Sequence, residues 1–126
     1  MSLAHGSALS EHVIKLAIDV HRQLGPGLLE SAYEECLCFE LSRNRVSYAR
    51  QVPLPVVYKE VRLDCGYRMD LVIEDELIVE IKAVEKLIAL HEAQVLTYLR
   101  LSGYKVGLLL NFNSVRLKDG LRRFVL

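Results

Sequence analysis

The sequence predicts an α/β protein, a mixed β-sheet flanked by helices, on three observations. Apolar residues recur at helical spacing over 13–24 and 29–41. Over 61–73 every odd position is apolar, the pattern of a half-buried strand. A helical segment near 90–102 then leads into the apolar run Val106-Gly107-Leu108-Leu109-Leu110, which reads as a central strand. The order α, α, β, β, β, α, β plus a tail suits neither an all-β sandwich nor a helical bundle.

The first helix is expected from Ser10, a good N-cap, to Leu24, with Val13, Leu16, Ala17, Val20 and Leu24 on its apolar face. Gly25-Pro26-Gly27 ends it, because glycine accepts a left-handed cap and proline cannot extend the hydrogen-bonding ladder. The second helix should span Leu28 to about Arg43, with Glu30 at the edge of the arc formed by Tyr33, Leu37 and Leu41. A carboxylate there either meets the helix dipole or is aimed at something in the interior. Residues 51–58 read as a strand that Pro53 and Pro55 confine to an edge. The strand Val61–Ile73 follows, then an acidic turn at Glu74-Asp75-Glu76 and a strand Leu77–Ala83. The third helix, about Leu90 to Ser102, should stop at Gly103 and feed a strand Val106–Phe112. The tail from Val115 fits a hairpin around Asp119-Gly120, and a short helix fits nearly as well.

At 126 residues, with no repeat or linker, the chain is expected to form a single domain over 1–126. Met1-Ser2-Leu3 reads as a remnant of expression and carries no argument. No apolar run reaches the roughly 20 residues that span a bilayer, and Lys15, Asp19, His21 and Arg22 interrupt any signal-peptide core. A cytoplasmic protein without membrane association is expected. Cys36, Cys38 and Cys65 lack the spacing of a zinc or redox site and are expected to be reduced core thiols. Sixteen basic residues balance sixteen acidic ones, so composition gives no support for bulk nucleic-acid binding. The distribution is uneven: after residue 99, Arg100, Lys105, Arg116, Lys118, Arg122 and Arg123 face only Asp119. That patch suits phosphate contacts or a solvated tail equally.

Register brings the carboxylates together. The apolar sets of 61–73 and 77–83 are both odd-numbered and must both face the core. A three-residue loop closes Ile73 against Leu77, which sets Leu71 opposite Val79, Met69 opposite Ile81, Asp70 opposite Glu80 and Arg68 opposite Lys82. Opposed Cβ atoms lie about 4.5–5.5 Å apart, and two carboxylates there need a shared proton or a cation between them. A hard divalent ion with oxygen ligands is the natural cation. An ordinary lattice of surface ion pairs is the competing reading of the same residues. His91, Gln94, Tyr98 and Leu101 form one stripe of the third helix, and its polar members suggest that it borders a polar site. For His91 alone, a capping or core role outweighs ligation.

Gly27-Leu28-Leu29-Glu30-Ser31-Ala32-Tyr33 is similar to the signature of the GxxExxY protein family. Asp70, Glu80-Ile81-Lys82 and Gln94-Val95-Leu96-Thr97-Tyr98 resemble the D…ExK…QxxxY series of the RecB-like branch of PD-(D/E)XK nucleases. The resemblance covers about residues 10–126 and implies a restriction-endonuclease-like αβββαβ core with an extra N-terminal helix. It implies Mg2+ or Mn2+ held by Asp70, Glu80 and the Ile81 carbonyl, with Lys82 positioning the attacking water. Glu30 would lie near the ion, Gln94 and Tyr98 would orient the lysine or the substrate strand, and Tyr33, His91 and Arg68 would be accessory. No iron–sulfur cluster is expected, since the cysteine set of some relatives is absent.

Two functions follow as expectations. One is divalent-metal-dependent phosphodiester hydrolysis of DNA or RNA. The other is a non-catalytic interaction or nucleic-acid-binding module that keeps the nuclease fold. A homodimer through the edge strand at 52–58 is compatible with the pattern, although its prolines oppose strand addition.

Overall fold

A computed structural model describes residues 7–126, and the Met1-Ser2-Leu3 segment lies outside them. The elements are α1 (Ser7–Leu24), α2 (Glu30–Arg43), β1 (Tyr48–Pro53), β2 (Val56–Tyr58), β3 (Val61–Leu63), β4 (Arg68–Ile73), β5 (Leu77–Lys82), α3 (Ala89–Ser102), β6 (Val106–Asn111), a 3₁₀ turn (Leu117–Gly120) and β7 (Leu121–Val125). Five strands form a mixed sheet in the order β1-β4-β5-β6-β7, while β2 and β3 pair as a separate hairpin. Among the described residues only β5 and β6 are parallel, and α3 makes the crossover between them. Within this frame α2, β1, β4, β5, α3 and β6 give the αβββαβ order, preceded by α1.

Both faces of the sheet are covered. On one, Val13, Ala17, Tyr33, Leu37 and Leu41 of α1 and α2 pack on Leu71, Ile73, Val79, Ile81, Leu108 and Leu110. On the other, Val95, Tyr98 and Leu99 of α3 pack on Val72, Ile78 and Leu109. The central strands are therefore buried on both sides rather than half-buried as the alternation suggested. The β4–β5 register agrees with the expected one, pairing Leu71 with Val79 and Ile73 with Leu77.

Several expectations are corrected. The long strand 61–73 is broken: Asp64 Oδ1 accepts the Gly66 N–H at 3.0 Å and Gly66 takes φ +79, so 64–67 turn and separate β3 from β4. The strand at 51–58 is likewise split, because β1 starts at Tyr48 and ends at Pro53. Ser10 is no N-cap; it is buried inside α1, where its Oγ accepts a hydrogen bond from Arg123 Nε at 3.0 Å. The tail forms no hairpin of its own. It makes the 3₁₀ turn and then adds β7 antiparallel to β6. Cys38 is buried, and burial pushes its thiol up to about 11, but Cys65 is exposed rather than in the core. Among the described residues no helix is long and apolar enough to cross a membrane.

Close approach of α3 to β6 requires the glycine between Val106 and Leu108. A Cβ at Gly107 would lie 2.9 Å from Val95 Cγ1 and 3.5 Å from Leu99 Cδ1. Gly107→Ala should therefore cost about 1–3 kcal/mol of stability through overpacking, measured by urea denaturation.

Candidate functional site

The antiparallel pairing of β4 with β5 stops after Leu71–Val79. Beyond it, side chains replace the main-chain ladder. The Asp70 N–H donates to Glu80 Oε2 at 2.8 Å, and the Ile81 N–H donates to Asp70 Oδ2 at 2.8 Å. Each carboxylate is thus fixed by the backbone of the opposite strand, leaving Glu80 Oε1 without a donor among the described residues. Leu71 belongs to the cluster under α1 and α2, yet Met69, two residues away, belongs to the cluster under α3. The strand rotates at Asp70, so the expected Asp70–Glu80, Met69–Ile81 and Arg68–Lys82 rungs do not form, although the Asp70 and Glu80 side chains still bridge the two strands. Met69 and Arg68 pair instead with Val52 and Pro53 of β1, and Arg68 is exposed.

The neighbouring edge strand rotates at the same level. Gln51 has φ +50, a left-handed conformation that costs a non-glycine residue of order 1–3 kcal/mol. Its side-chain amide donates to Glu34 Oε1 at 2.9 Å and, more weakly, to Asp70 Oδ1 at 3.4 Å. Glu34, on α2, is almost fully buried and accepts from Arg50 Nη2 at 2.9 Å and Nε at 3.2 Å. Neither Glu34 nor Gln51 was singled out by sequence. The one available signal was an acid beside the apolar arc of α2 and a basic residue on an edge strand.

Burial first, and then the Asp70 charge, raises Glu80 to about 8. Asp70 is also raised, chiefly by burial, although the Ile81 N–H pulls it back. Lys82 makes no ion pair among the described residues, but its charge favours ionisation of both acids. Glu30, the first residue of α2, is exposed, and its charge adds to those that raise Glu80.

From α3, Gln94 Nε2 donates to the Tyr98 hydroxyl at 3.1 Å. Tyr98 is raised by burial, with Gln94 opposing and the Glu80 and Asp70 charges adding to the rise. Tyr67, which the alternation over 61–73 counted as an apolar core-facing position, is instead exposed and meets Tyr98 edge-on at 6.2 Å. His91 stands at the start of α3, where its Nδ1 accepts the Ile88 N–H at 3.0 Å, so that nitrogen caps the helix. Tyr33 makes its polar contacts in the loop before α2. Its hydroxyl donates to the Gly25 carbonyl at 2.6 Å and accepts the Leu28 N–H at 3.1 Å, while its ring stacks on Phe112 at 4.6 Å. It pins the Gly25-Pro26-Gly27 loop and so sets where α2 begins.

Among the described residues no three His, Cys, Asp or Glu side chains gather closely enough to enclose an ion. Two carboxylates are nonetheless a hard-oxygen donor pair, and magnesium commonly binds through one or two carboxylates with the rest water and phosphate. The donor chemistry fits such an ion, with the unengaged Glu80 Oε1 and the loosely held Asp70 Oδ1 as its protein oxygens.

A mixed sheet that is opened at one end by two carboxylates, with a lysine two residues on and a Gln/Tyr helix above it, defines a nuclease-like α/β protein. Residues 7–124 match the model of the PD-(D/E)XK nuclease superfamily, and the chain belongs to that superfamily. Its members generally use divalent metals and act on nucleic acid. No curated protein and no solved structure matches the chain.

The raised carboxylates set a pH dependence. Between about pH 4.5 and about pH 8 the folded protein keeps a proton on Glu80 that the unfolded chain has lost. Stability in chelator is therefore expected to fall as pH rises through that window. Glu80→Gln, which can still accept from the Asp70 N–H, should flatten the decline in urea midpoints measured across it.

Proposed function

We propose that the protein hydrolyses phosphodiester bonds of DNA or RNA with Mg2+ or Mn2+, as a GxxExxY member of the RecB-like branch. The observation that supports this most directly is the carboxylate pair at the broken end of the β4–β5 ladder, with the unpaired Lys82 beside it. Asp70, Glu80 and the Ile81 carbonyl would hold the ion, which supplies Lewis-acid polarisation of the phosphoryl group and a more acidic bound water. Lys82 would orient the attacking water and offset charge developing on the phosphoryl oxygens. The water oxygen bonds to phosphorus and gives up a proton to solvent as the ester P–O bond breaks, and the departing oxygen takes a proton from solvent. Glu30 adds negative charge at the mouth of the site, where it favours a dication, while Gln94 holds the Tyr98 hydroxyl toward the strand being cut.

A second reading, an interaction module without hydrolysis, is favoured by one feature. Both carboxylates already satisfy backbone N–H groups, and no third acidic or imidazole ligand closes around them among the described residues.

Labelled single-stranded and duplex substrates with Mg2+ or Mn2+ separate the two. Cleavage is expected from the wild type and should fall at least about 100-fold in Lys82→Ala, the scale on which removal of a preorganised charge-stabilising group acts. Equal cleavage by both proteins would mean a contaminant and end the nuclease reading. Calorimetric titration should give saturable Mg2+ or Mn2+ binding that Asp70→Asn abolishes. No binding by the wild type would leave the module.

A further inference from the structure

The surroundings of the carboxylate pair are poorly suited to gripping a polyanion. Glu30 and Glu34 add their charges to those of Asp70 and Glu80, and among the described residues only Glu34 of these four is offset by an ion pair, with Arg50. A nucleic-acid strand must find its cationic footing elsewhere. A cleft of about 510 Å³ beside the Gly25-Pro26-Gly27 loop offers one. Its wall includes His21, Arg22, Gly25, Pro26, Arg116 and Lys118, with no acidic residue in the lining.

These cations are not consumed by internal pairing. Arg22 and Lys118 are exposed and have no ion-pair or hydrogen-bond partner among the described residues. Arg116 meets Asp119 at 3.2 Å, yet both remain well exposed and able to exchange partners. Arg22 also lies in the last turn of α1, where the helix dipole favours a cation, but that accounts for neither Arg116 nor Lys118.

The cleft lies at the same end of the sheet as the carboxylates. The parallel strands β5 and β6 finish side by side, Lys82 against Asn111, and the chain leaving β6 forms one wall. The opposite wall is the loop that leads to Glu30. The two are tied together by His21 Nε2 donating to the Ser114 carbonyl at 2.8 Å and by the Gly27 N–H donating to Asn113 Oδ1 at 3.0 Å.

We propose that this cleft is an anion subsite that holds a backbone phosphate of the substrate strand, with Arg22 and Lys118 as its principal contacts. The subsite rests on the nuclease reading for its position on the strand, but it binds without catalysis. It brings Arg116 and Lys118 of the basic C-terminal segment together with Gly25 and Pro26 of the loop.

The test measures anisotropy of labelled single-stranded and duplex oligonucleotides in EDTA, where no cleavage occurs. Arg22→Ala/Lys118→Ala is compared with the charge-matched control Lys15→Ala/Lys105→Ala, and thermal melts establish that both remain folded. The cleft variant should bind about tenfold more weakly or worse, with a shallower salt dependence by about one ion per lost phosphate contact. The control should bind as the wild type does. Equal weakening in both variants would reduce the effect to net charge and overturn the subsite, as would a wild type that binds no oligonucleotide. Calorimetry with inorganic phosphate forms the other arm. Phosphate binding lost in the cleft variant, with oligonucleotide binding intact, would make free phosphate the ligand and overturn the strand assignment. If Lys82→Ala leaves cleavage unchanged but the cleft variant still loses oligonucleotide, the nuclease reading fails while the subsite stands.

Discussion

The exchange of main-chain rungs for carboxylates at the end of the β4–β5 ladder organises this molecule. An antiparallel pair satisfies its N–H groups from the facing strand, and any buried N–H left out costs free energy comparable to a lost hydrogen bond. Here the Asp70 and Ile81 N–H groups are satisfied by Glu80 and Asp70 side chains. That substitution allows the strands to part without orphaning donors. It also obliges two acids to lie together in a place where burial already disfavours their charge. The rotation at Asp70 and the left-handed Gln51 on the adjacent strand are the geometric consequences. The sheet cannot open at one rung and stay regular at the next.

Position along the second helix follows from a different set of contacts. Tyr33 is fully buried, stacked on Phe112 at the end of β6, and its hydroxyl closes the loop between α1 and α2 at two points. The GxxExxY spacing acquires a physical meaning here. Its tyrosine anchors the loop to the core one turn into the helix, and its glutamate is thereby held at the exposed helix start, where its charge still acts on Glu80. Glu34 and Arg50 complete the fixation from the other side, since their part-buried pair ties α2 to the edge strand at the level of Gln51.

What was legible in the sequence was whatever a period of 2.0 or 3.6 can encode. The helices followed from the longer period, while the β4–β5 register over Leu71–Ile73 and the closeness of Asp70 to Glu80 followed from which numbers were odd. What a period cannot show is where a strand turns without losing its alternation. Residues 61–73 keep apolar residues at every odd position, yet the chain turns at Asp64–Gly66 and rotates again at Asp70. The Asp-x-Gly signal for the first turn was present and was outweighed by the length of the alternating run. For the second there was no local signal, because the cause lies across the strand in the Glu80 side chain. Glu34 and Gln51 were missed for a related reason: a buried acid is recognisable only once its arginine is known to face it. Ser10 and β7 show the same limit, since the burial of one depends on contact with the other, more than a hundred residues away.

The charge around the site admits two resolutions, and they exclude each other. Glu34 is neutralised by Arg50, which leaves Asp70, Glu80 and Glu30 against Lys82. A proton on Glu80 removes one negative charge at no structural cost, because the protonated group still accepts the Asp70 N–H through its other oxygen. A dication removes two and draws the same oxygens into coordination, but only after the proton has left. Without a cation, the protonated and ionised forms of Glu80 are close in free energy near pH 8, since that is where burial and the Asp70 charge have moved its proton equilibrium. Binding of a cation must therefore release a proton below that pH and need release none above it. The unpaired Lys82 fits the same account. Were it locked onto Glu80 as a simple salt bridge, neither proton nor cation would be required, and burial would not have raised the acid this far.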